Sequence, residues 1–146
     1  MEDAIVSPDN AARVAAEHGI SLTETRRRVF ELVVKAGQPI GAYRLLEAMS
    51  DKGARVMPPT IYRALNFLQG KGLVHRIESL NAFVACSQPD PRHERQFLIC
   101  SDCGRCQELA DEGVTELLRD RAKAQGFTLT HQTIELKGLC SSCTAG

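Results

Sequence analysis

The chain has 146 residues, of which 43% are hydrophobic and 25% charged, a composition that excludes a disordered protein and fits one or two small domains. The formal net charge is zero, but residues 22–76 carry ten basic and four acidic side chains, which leaves the rest of the chain acidic. A basic block of this kind is the usual electrostatic footprint of a polyanionic partner. No apolar run approaches the roughly 18–20 residues of a membrane span. The acidic N-terminus does not resemble a secretory signal, so we expect a cytoplasmic protein.

The spacing of apolar residues predicts four helices in the first half of the chain. The first helix is expected to begin after residues 7–9, and the second after the candidate N-cap Thr23. The third is expected to begin at about Ala42 and the fourth at Pro58. The apolar period then changes from 3.6 towards 2, which predicts a hairpin of two strands over 73–77 and 82–86. Short helices followed by a hairpin are the elements of a winged helix-turn-helix. Residues 87–92 contain two prolines and no apolar residue, so we expect a hinge there.

The second half of the chain predicts a separate small α/β unit. Strands are expected over 96–100 and near 107–110, followed by an amphipathic helix that Gly126 closes. The alternating run over 127–136 predicts a third strand. We therefore expect an α+β protein with a winged-helix domain over 1–86, a hinge over 87–93 and a small α/β domain with a three-stranded sheet over 94–146.

Two CxxC motifs, Cys100 with Cys103 and Cys140 with Cys143, lie on predicted turns after strands. Together they supply the four thiolates that tetrahedral Zn²⁺ requires. A redox CxxC would need a pair at the start of a helix in a thioredoxin-like βαβ pattern, which is absent. Disulfides fit a reducing compartment poorly. The motifs predict a closed structural zinc site, which by itself indicates no particular function.

Other candidate ligands give weaker signals. Cys106 extends the first motif and could replace Cys103, although the regular pairs elsewhere favour a spare thiol. A second set suited to zinc contains two imidazoles, a thiolate and a carboxylate, from His75, Cys86, His93 and Glu108. Each of these four also has an ordinary structural explanation, so spacing alone leaves the second site open. We interpret His18, at a helix end, as structural, and His131 as a packed or exposed strand residue.

The predicted fourth helix has the features of a DNA-recognition helix. With its apolar positions turned inward, Thr60, Arg63 and Asn66 lie on the opposite side, and Tyr62 flanks them. An arginine near the start of such a helix can donate to guanine O6 and N7, and a tyrosine can pack on a thymine methyl group or bind a phosphate. The basic run 26–28 could hold phosphates. An ordinary solvated helix face is the alternative for both, and the surrounding pattern of elements favours DNA.

These motifs together resemble the ferric uptake regulator family, and most closely its zinc-sensing branch, the zinc uptake regulators. The resemblance runs from about Ile20 to Cys143 through PPTIYRALNFLQGKGLVHRIES, NAFVAC, FLICSDCG, QEL and IELKGLCSSC, in that order. It implies a homodimer with an N-terminal winged-helix DNA-binding domain and a C-terminal dimerisation domain.

The resemblance also implies two zinc ions per chain and a set of functional residues. The structural zinc falls on the four CxxC cysteines, and the regulatory zinc falls on His75, Cys86, His93 and Glu108. The DNA-reading positions fall on Tyr43 in the third helix and on Tyr62 and Arg63 in the fourth, and Arg26 matches a position that contacts the phosphate backbone. We add Thr60 to the expected DNA contacts because it lies on the exposed side of the fourth helix.

Two departures from the family pattern carry information. The histidine-rich stretch of iron- and peroxide-sensing members is reduced here to His93-Glu-Arg95, and the thiolate of Cys86 favours zinc over iron. An auxiliary third metal site would need an acid near Thr115 to partner His131, and that acid is missing.

We therefore expect a non-enzymatic zinc-responsive repressor that, with zinc bound, binds palindromic operator DNA and represses zinc-uptake genes. The alternatives are an iron or peroxide sensor of the same family, and a zinc-ribbon redox or interaction module that does not bind DNA.

Overall fold

A computed structural model describes residues 11–50, 56–86 and 94–144 of the chain. The chain divides into two compact units, Met1–Arg92 (unit 1) and His93–Gly146 (unit 2). The predicted hinge over 87–93 and the predicted start of the first helix at 7–9 lie outside the described residues.

The described part of unit 1 contains four α-helices, whose boundaries follow the signals in the sequence. They are α1 (Ala11–Glu17), α2 (Glu24–Ala36), α3 (Ala42–Ser50) and α4 (Pro58–Gly70). The hydroxyl of Thr23 accepts a hydrogen bond from the backbone N–H of Arg26 at 3.3 Å, which caps α2 as predicted. Gly37 ends α2 in the left-handed conformation, with φ of 64°. Proline at the start of α4 removes no hydrogen bond, because the first N–H groups of a helix have no partner within it.

The four helices pack around one apolar core and carry a hairpin. The largest fully buried side chains of this core include Phe30, Leu45, Ile61, Leu65 and Leu68. Strands β1 (Val74–Ile77) and β2 (Ala82–Ala85) pair antiparallel, with Val74 opposite Ala85. A short bridge between Ile40 and Phe83 connects the hairpin to the segment between α2 and α3. This is the predicted winged helix-turn-helix.

Unit 2 is built on the predicted three-stranded sheet, and the strand order in this sheet is β4-β3-β5. Its elements are β3 (Gln96–Cys100), β4 (Cys106–Leu109), α5 (Glu112–Ala124), β5 (Ile134–Gly138) and the one-turn helix α6 (Ser141–Thr144). Strand β4 is antiparallel to β3, and β5 is parallel to it. The buried amide of Gln96 accepts from the backbone N–H of Asp111 at 3.0 Å and donates to the Thr115 hydroxyl at 3.1 Å. This side chain therefore fixes the first turn of α5 to the central strand.

The third strand of unit 2 is shorter than predicted. The alternating run over 127–136 predicts a strand throughout, but β5 covers only Ile134–Gly138, and 127–133 form no helix or strand. The register explains the difference, because Ile134 already lies opposite Gln96, the first residue of β3. Earlier residues of the run extend past the end of their partner strand, and Phe127 is 62% exposed. No helix in the described part of the chain is long and apolar enough to cross a membrane.

Candidate metal centres and nucleic-acid interface

The four CxxC cysteines meet at one end of the unit 2 sheet. Cys100 is the last residue of β3, and Cys103 follows in the turn before β4. Cys140 follows β5, and Cys143 lies in α6. Because β3 and β5 are parallel neighbours, their C-terminal ends bring the two motifs together. The four Sγ atoms lie within 4.8 Å of one another.

The spacing of these sulfurs fits a tetrahedral metal. The Sγ atoms of Cys103 and Cys140 are 3.8 Å apart. Zn–S bonds of about 2.3 Å at the tetrahedral angle also place two sulfurs about 3.8 Å apart. A disulfide requires about 2.05 Å, so this distance is the edge of a coordination tetrahedron and not a covalent bond. The donor set of four thiols is one that zinc prefers.

Backbone hydrogen bonds prepare part of this cluster for a cation. The backbone N–H groups of Cys103 and Cys140 donate to the Cys100 sulfur at 3.5 and 3.4 Å and lower its pKa to about 6. The pKa of Cys140 is also lowered, chiefly by the backbone N–H of Cys143. The pKa of Cys143 is raised to about 12 by the sulfurs of Cys140 and Cys100. A metal ion must therefore displace the proton of Cys143, whereas Cys100 is available as a thiolate.

Cys106 lies on β4 outside this group of four, as expected for a spare thiol. It is half-buried, and its pKa is raised to about 11 by burial and by the negative charges of Glu108 and Glu135.

The hairpin of unit 1 carries two of the predicted regulatory ligands close together. His75 lies on β1 opposite Val84, and Cys86 directly follows β2. The backbone N–H of Cys86 donates to the carbonyl of Leu73 at 2.8 Å, which continues the ladder one residue beyond β2. His75 and Cys86 are therefore diagonal neighbours on one face of the hairpin. Cys86 is fully buried and His75 is half-buried.

The other two predicted regulatory ligands belong to unit 2. Glu108 lies on β4, and His93 is outside the described residues. A carboxylate oxygen of Glu108 is 2.6 Å from Nε of Arg95, and both side chains are largely shielded from solvent. Sequence reasoning missed this partner, because nothing in the spacing of Arg95 indicates that its charge is buried.

Thr115 and His131 form hydrogen bonds with neighbouring side chains. The Gln132 side chain donates to the backbone carbonyl of Thr115 at 3.0 Å, and Gln96 donates to its hydroxyl. His131 is exposed, and its ring Nε2 is 2.9 Å from the hydroxyl of Thr133.

The predicted DNA-reading side chains are exposed on unit 1. Thr60, Tyr62 and Arg63 lie on the exposed side of α4, opposite the buried Ile61. Tyr43, near the start of α3, is 73% exposed. An accessible side chain near the start of a recognition helix is what contact with base edges in the major groove requires.

Arg26 is held against the recognition helix by an aromatic ring. Its guanidinium lies 3.7 Å from the ring centroid of Phe67 on α4, within the range of a cation–π contact. Its neighbour Arg27 instead forms an ion pair of 2.8 Å with Glu31 on the same helix. Sequence reasoning missed Phe67, because a ring on the partly buried side of a helix is normally a packing residue.

A winged helix followed by a domain with a four-cysteine metal centre defines a class of metal-dependent DNA-binding regulators. The model of the ferric uptake regulator family matches residues 17–137. The zinc uptake regulation protein of Escherichia coli (strain K12) is 38% identical over 134 residues, which are 91% of this chain and 78% of that protein. The chain belongs to the ferric uptake regulator family, as the motifs predict.

Two solved structures resemble the chain over most of its length. The crystal structure of holo XcZur is 44% identical with a TM-score of 0.85, and the match covers 95% of this chain and 97% of that one. A zinc uptake regulator complexed with zinc and DNA is 36% identical with a TM-score of 0.85, and the match covers 94% and 93% of the two chains.

Proposed function

We propose that this chain is a zinc-responsive, dimeric transcriptional repressor in the cytoplasm. With zinc bound, it binds palindromic operator DNA and represses zinc-uptake genes. The observation that carries this proposal is the match, over nearly the whole chain, to a zinc uptake regulator complexed with zinc and DNA. The chain's own residues agree with it, because unit 1 exposes a recognition helix and unit 2 gathers four thiols in a tetrahedral arrangement.

Each chain holds two zinc ions in this proposal. Cys100, Cys103, Cys140 and Cys143 bind the structural ion. Since unit 2 is small and α5 leaves Leu117 and Leu118 52% and 41% exposed, its folding depends on the metal and on a second copy of the chain. The regulatory ion is bound by His75, Cys86, His93 and Glu108.

The chemistry of the regulatory ligands favours zinc over ferrous iron. Bound there, zinc supplies a tetrahedral centre that accepts nitrogen, sulfur and oxygen ligands. The hairpin contributes the imidazole of His75 beside the buried thiol of Cys86. A soft sulfur ligand suits zinc, whereas ferrous iron is served by imidazole and carboxylate sets.

The distribution of these ligands along the chain suggests how zinc controls DNA binding. His75 and Cys86 come from the wing of unit 1, and His93 and Glu108 come from unit 2. Four ligands that bind one ion restrict the arrangements that the two units can adopt. In a dimer, this restriction sets the spacing of the two recognition helices for successive major grooves. Zinc shifts the population towards the arrangement that it binds more tightly, and only the difference between its affinities for the arrangements drives this shift.

In the DNA complex, Thr60, Tyr62 and Arg63 face base edges in the major groove, and Arg26 contacts a backbone phosphate. Tyr43 reaches the same stretch of DNA from α3. Base contacts provide sequence specificity, and phosphate contacts provide affinity that falls with salt.

A gel shift on DNA selected from a random library by the zinc-loaded protein tests this function. At one stated salt concentration, we expect a shift with zinc, and none with chelator or with ferrous iron. Cys86→Ser should abolish the zinc-dependent shift but keep the dimer and the structural zinc. Cys106→Ser, the matched control thiol, should behave as the wild type.

Two results would overturn the proposal. A shift with ferrous iron but not with zinc would indicate an iron sensor of the same family. Absence of any metal-dependent shift from a folded, zinc-loaded dimer would indicate a zinc-ribbon module that does not bind DNA.

A further inference from the structure

Arg95 is an unusual residue in unit 2. It is 5% exposed and is the one charged side chain in the buried set of the described residues. A buried cation is costly unless it is paired with an anion and hydrogen-bonded. Its Nε lies 2.6 Å from Oε1 of Glu108, whose side chain is 12% exposed. A shielded ion pair of this kind fixes both side chains far more firmly than a surface pair does.

The strand register explains why Arg95 meets Glu108. Phe97 on β3 lies opposite Glu108 on β4 and opposite Glu135 on β5. Arg95 precedes Phe97 by two residues, so it is on the same side of the strand and is a diagonal neighbour of Glu108. One face of the sheet thus carries a carboxylate on each side of Phe97, with Arg95 paired to the one on β4.

We infer that Arg95 is a positioning residue for the regulatory zinc and acts through Glu108. This inference rests on the proposed function, in which Glu108 is a ligand. The contact of the guanidinium with Oε1 holds the carboxylate group of Glu108 in one orientation. Arg95 therefore sets the orientation of a zinc ligand without contacting zinc.

The inference predicts a selective loss of zinc affinity. Partners that orient metal ligands typically change metal affinity by about 10–100-fold when they are removed. Arg95→Met keeps the length and apolar volume of the side chain but removes the donors. We expect it to weaken the regulatory zinc by about 10–100-fold, and to leave the zinc of the four-cysteine site unchanged.

Chelator competition on the full-length protein measures the two zinc affinities separately. Arg119→Met is the matched control, because Arg119 forms a 2.9 Å ion pair with Glu94 in the same unit and does not pair with Glu108. It should leave the regulatory affinity unchanged. In a Glu108→Gln background, Arg95→Met should have no further effect, since Arg95 acts through that carboxylate.

Three results would overturn the inference. Equal zinc affinity in Arg95→Met and wild type would remove the positioning role, and tighter binding would show that Arg95 competes with zinc for Glu108. An undiminished effect of Arg95→Met in the Glu108→Gln background would show that it acts elsewhere. If Arg95→Met fails to fold, Arg95→Lys is the second variant, because it keeps the buried charge but loses the fork of donors. An Arg95→Lys variant whose regulatory site binds zinc as tightly as the wild type would also overturn the inference. A wild-type chain with no second zinc would instead overturn the proposed function itself.

Discussion

Replacing Arg26 by glutamine tests whether this side chain contacts the DNA backbone. The guanidinium of Arg26 is half-buried against Phe67, 3.7 Å from the ring centroid, so its position is set by α4 before DNA arrives. A charge fixed in this way loses little side-chain entropy when it meets a phosphate. Arg26→Gln keeps much of the side-chain length but removes the charge.

The magnitude follows from counterion release. Each phosphate contact contributes about 0.9 to the slope of log affinity against log salt. A dimer presents Arg26 twice, so the slope should be shallower by about 1.8 in the variant. When the salt concentration rises from roughly 50 to 200 mM, the DNA affinity of the wild type should fall by a factor about 12 times larger than that of the variant. Phe67→Leu keeps the charge, so we expect the wild-type slope and a loss of up to about 1 kcal/mol per protomer from weaker positioning.

Fluorescence anisotropy over a salt series, on cognate and on random DNA, measures these slopes. The losses of both variants should be equal on the two DNAs, because a phosphate contact carries no sequence information. Arg13→Gln is the control, since Arg13 is an exposed arginine of the same unit that forms an ion pair with Glu17. An Arg26→Gln variant with the wild-type salt slope would refute the backbone contact.

Three further predictions concern base reading, folding and proton release. Arg63→Ala should cost about 1–3 kcal/mol on cognate DNA and flatten base preference at one position per half-site; equal losses on cognate and random DNA would exclude base reading. Cys140→Ser should yield a monomeric or insoluble protein with less than one tightly held zinc per chain by metal analysis; a folded dimer would contradict the structural role. The apparent zinc affinity should rise with pH, because Cys143 must lose its proton; a pH-independent affinity would refute this account of the thiols.

The sequence predicted the elements of unit 1 closely, because their boundaries depend on local chemistry. Thr23 caps α2 and Gly37 ends it through interactions within a few residues, and such signals are visible without knowledge of the fold. The start of β5 could not be predicted in the same way. Whether residues 127–133 pair depends on the register with β3, which is a non-local property.

In the candidate sites too, features that depend on local sequence could be predicted and features that depend on non-local contacts could not. The two CxxC motifs predicted a sulfur cluster, because four closely spaced thiols have few other uses in a reducing compartment. The contacts of Arg95 with Glu108 and of Arg26 with Phe67 could not be predicted, since each joins residues on different elements. A buried arginine and an arginine over a ring have the same local sequence signature as exposed ones.

The central claim, that zinc is the allosteric signal for DNA binding, is tested most directly by thermodynamic reciprocity. The affinity of the dimer for its selected DNA is measured with the regulatory site loaded and unloaded, and the affinity of that site for zinc is measured with and without the same DNA. The ratio of the DNA affinities must equal the product of the zinc-affinity ratios of the two regulatory sites in a dimer, because both report one coupling free energy. We predict that both ratios exceed about tenfold and that Cys86→Ser reduces both to one. Wild-type protein whose zinc affinity is unchanged by DNA would contradict the account.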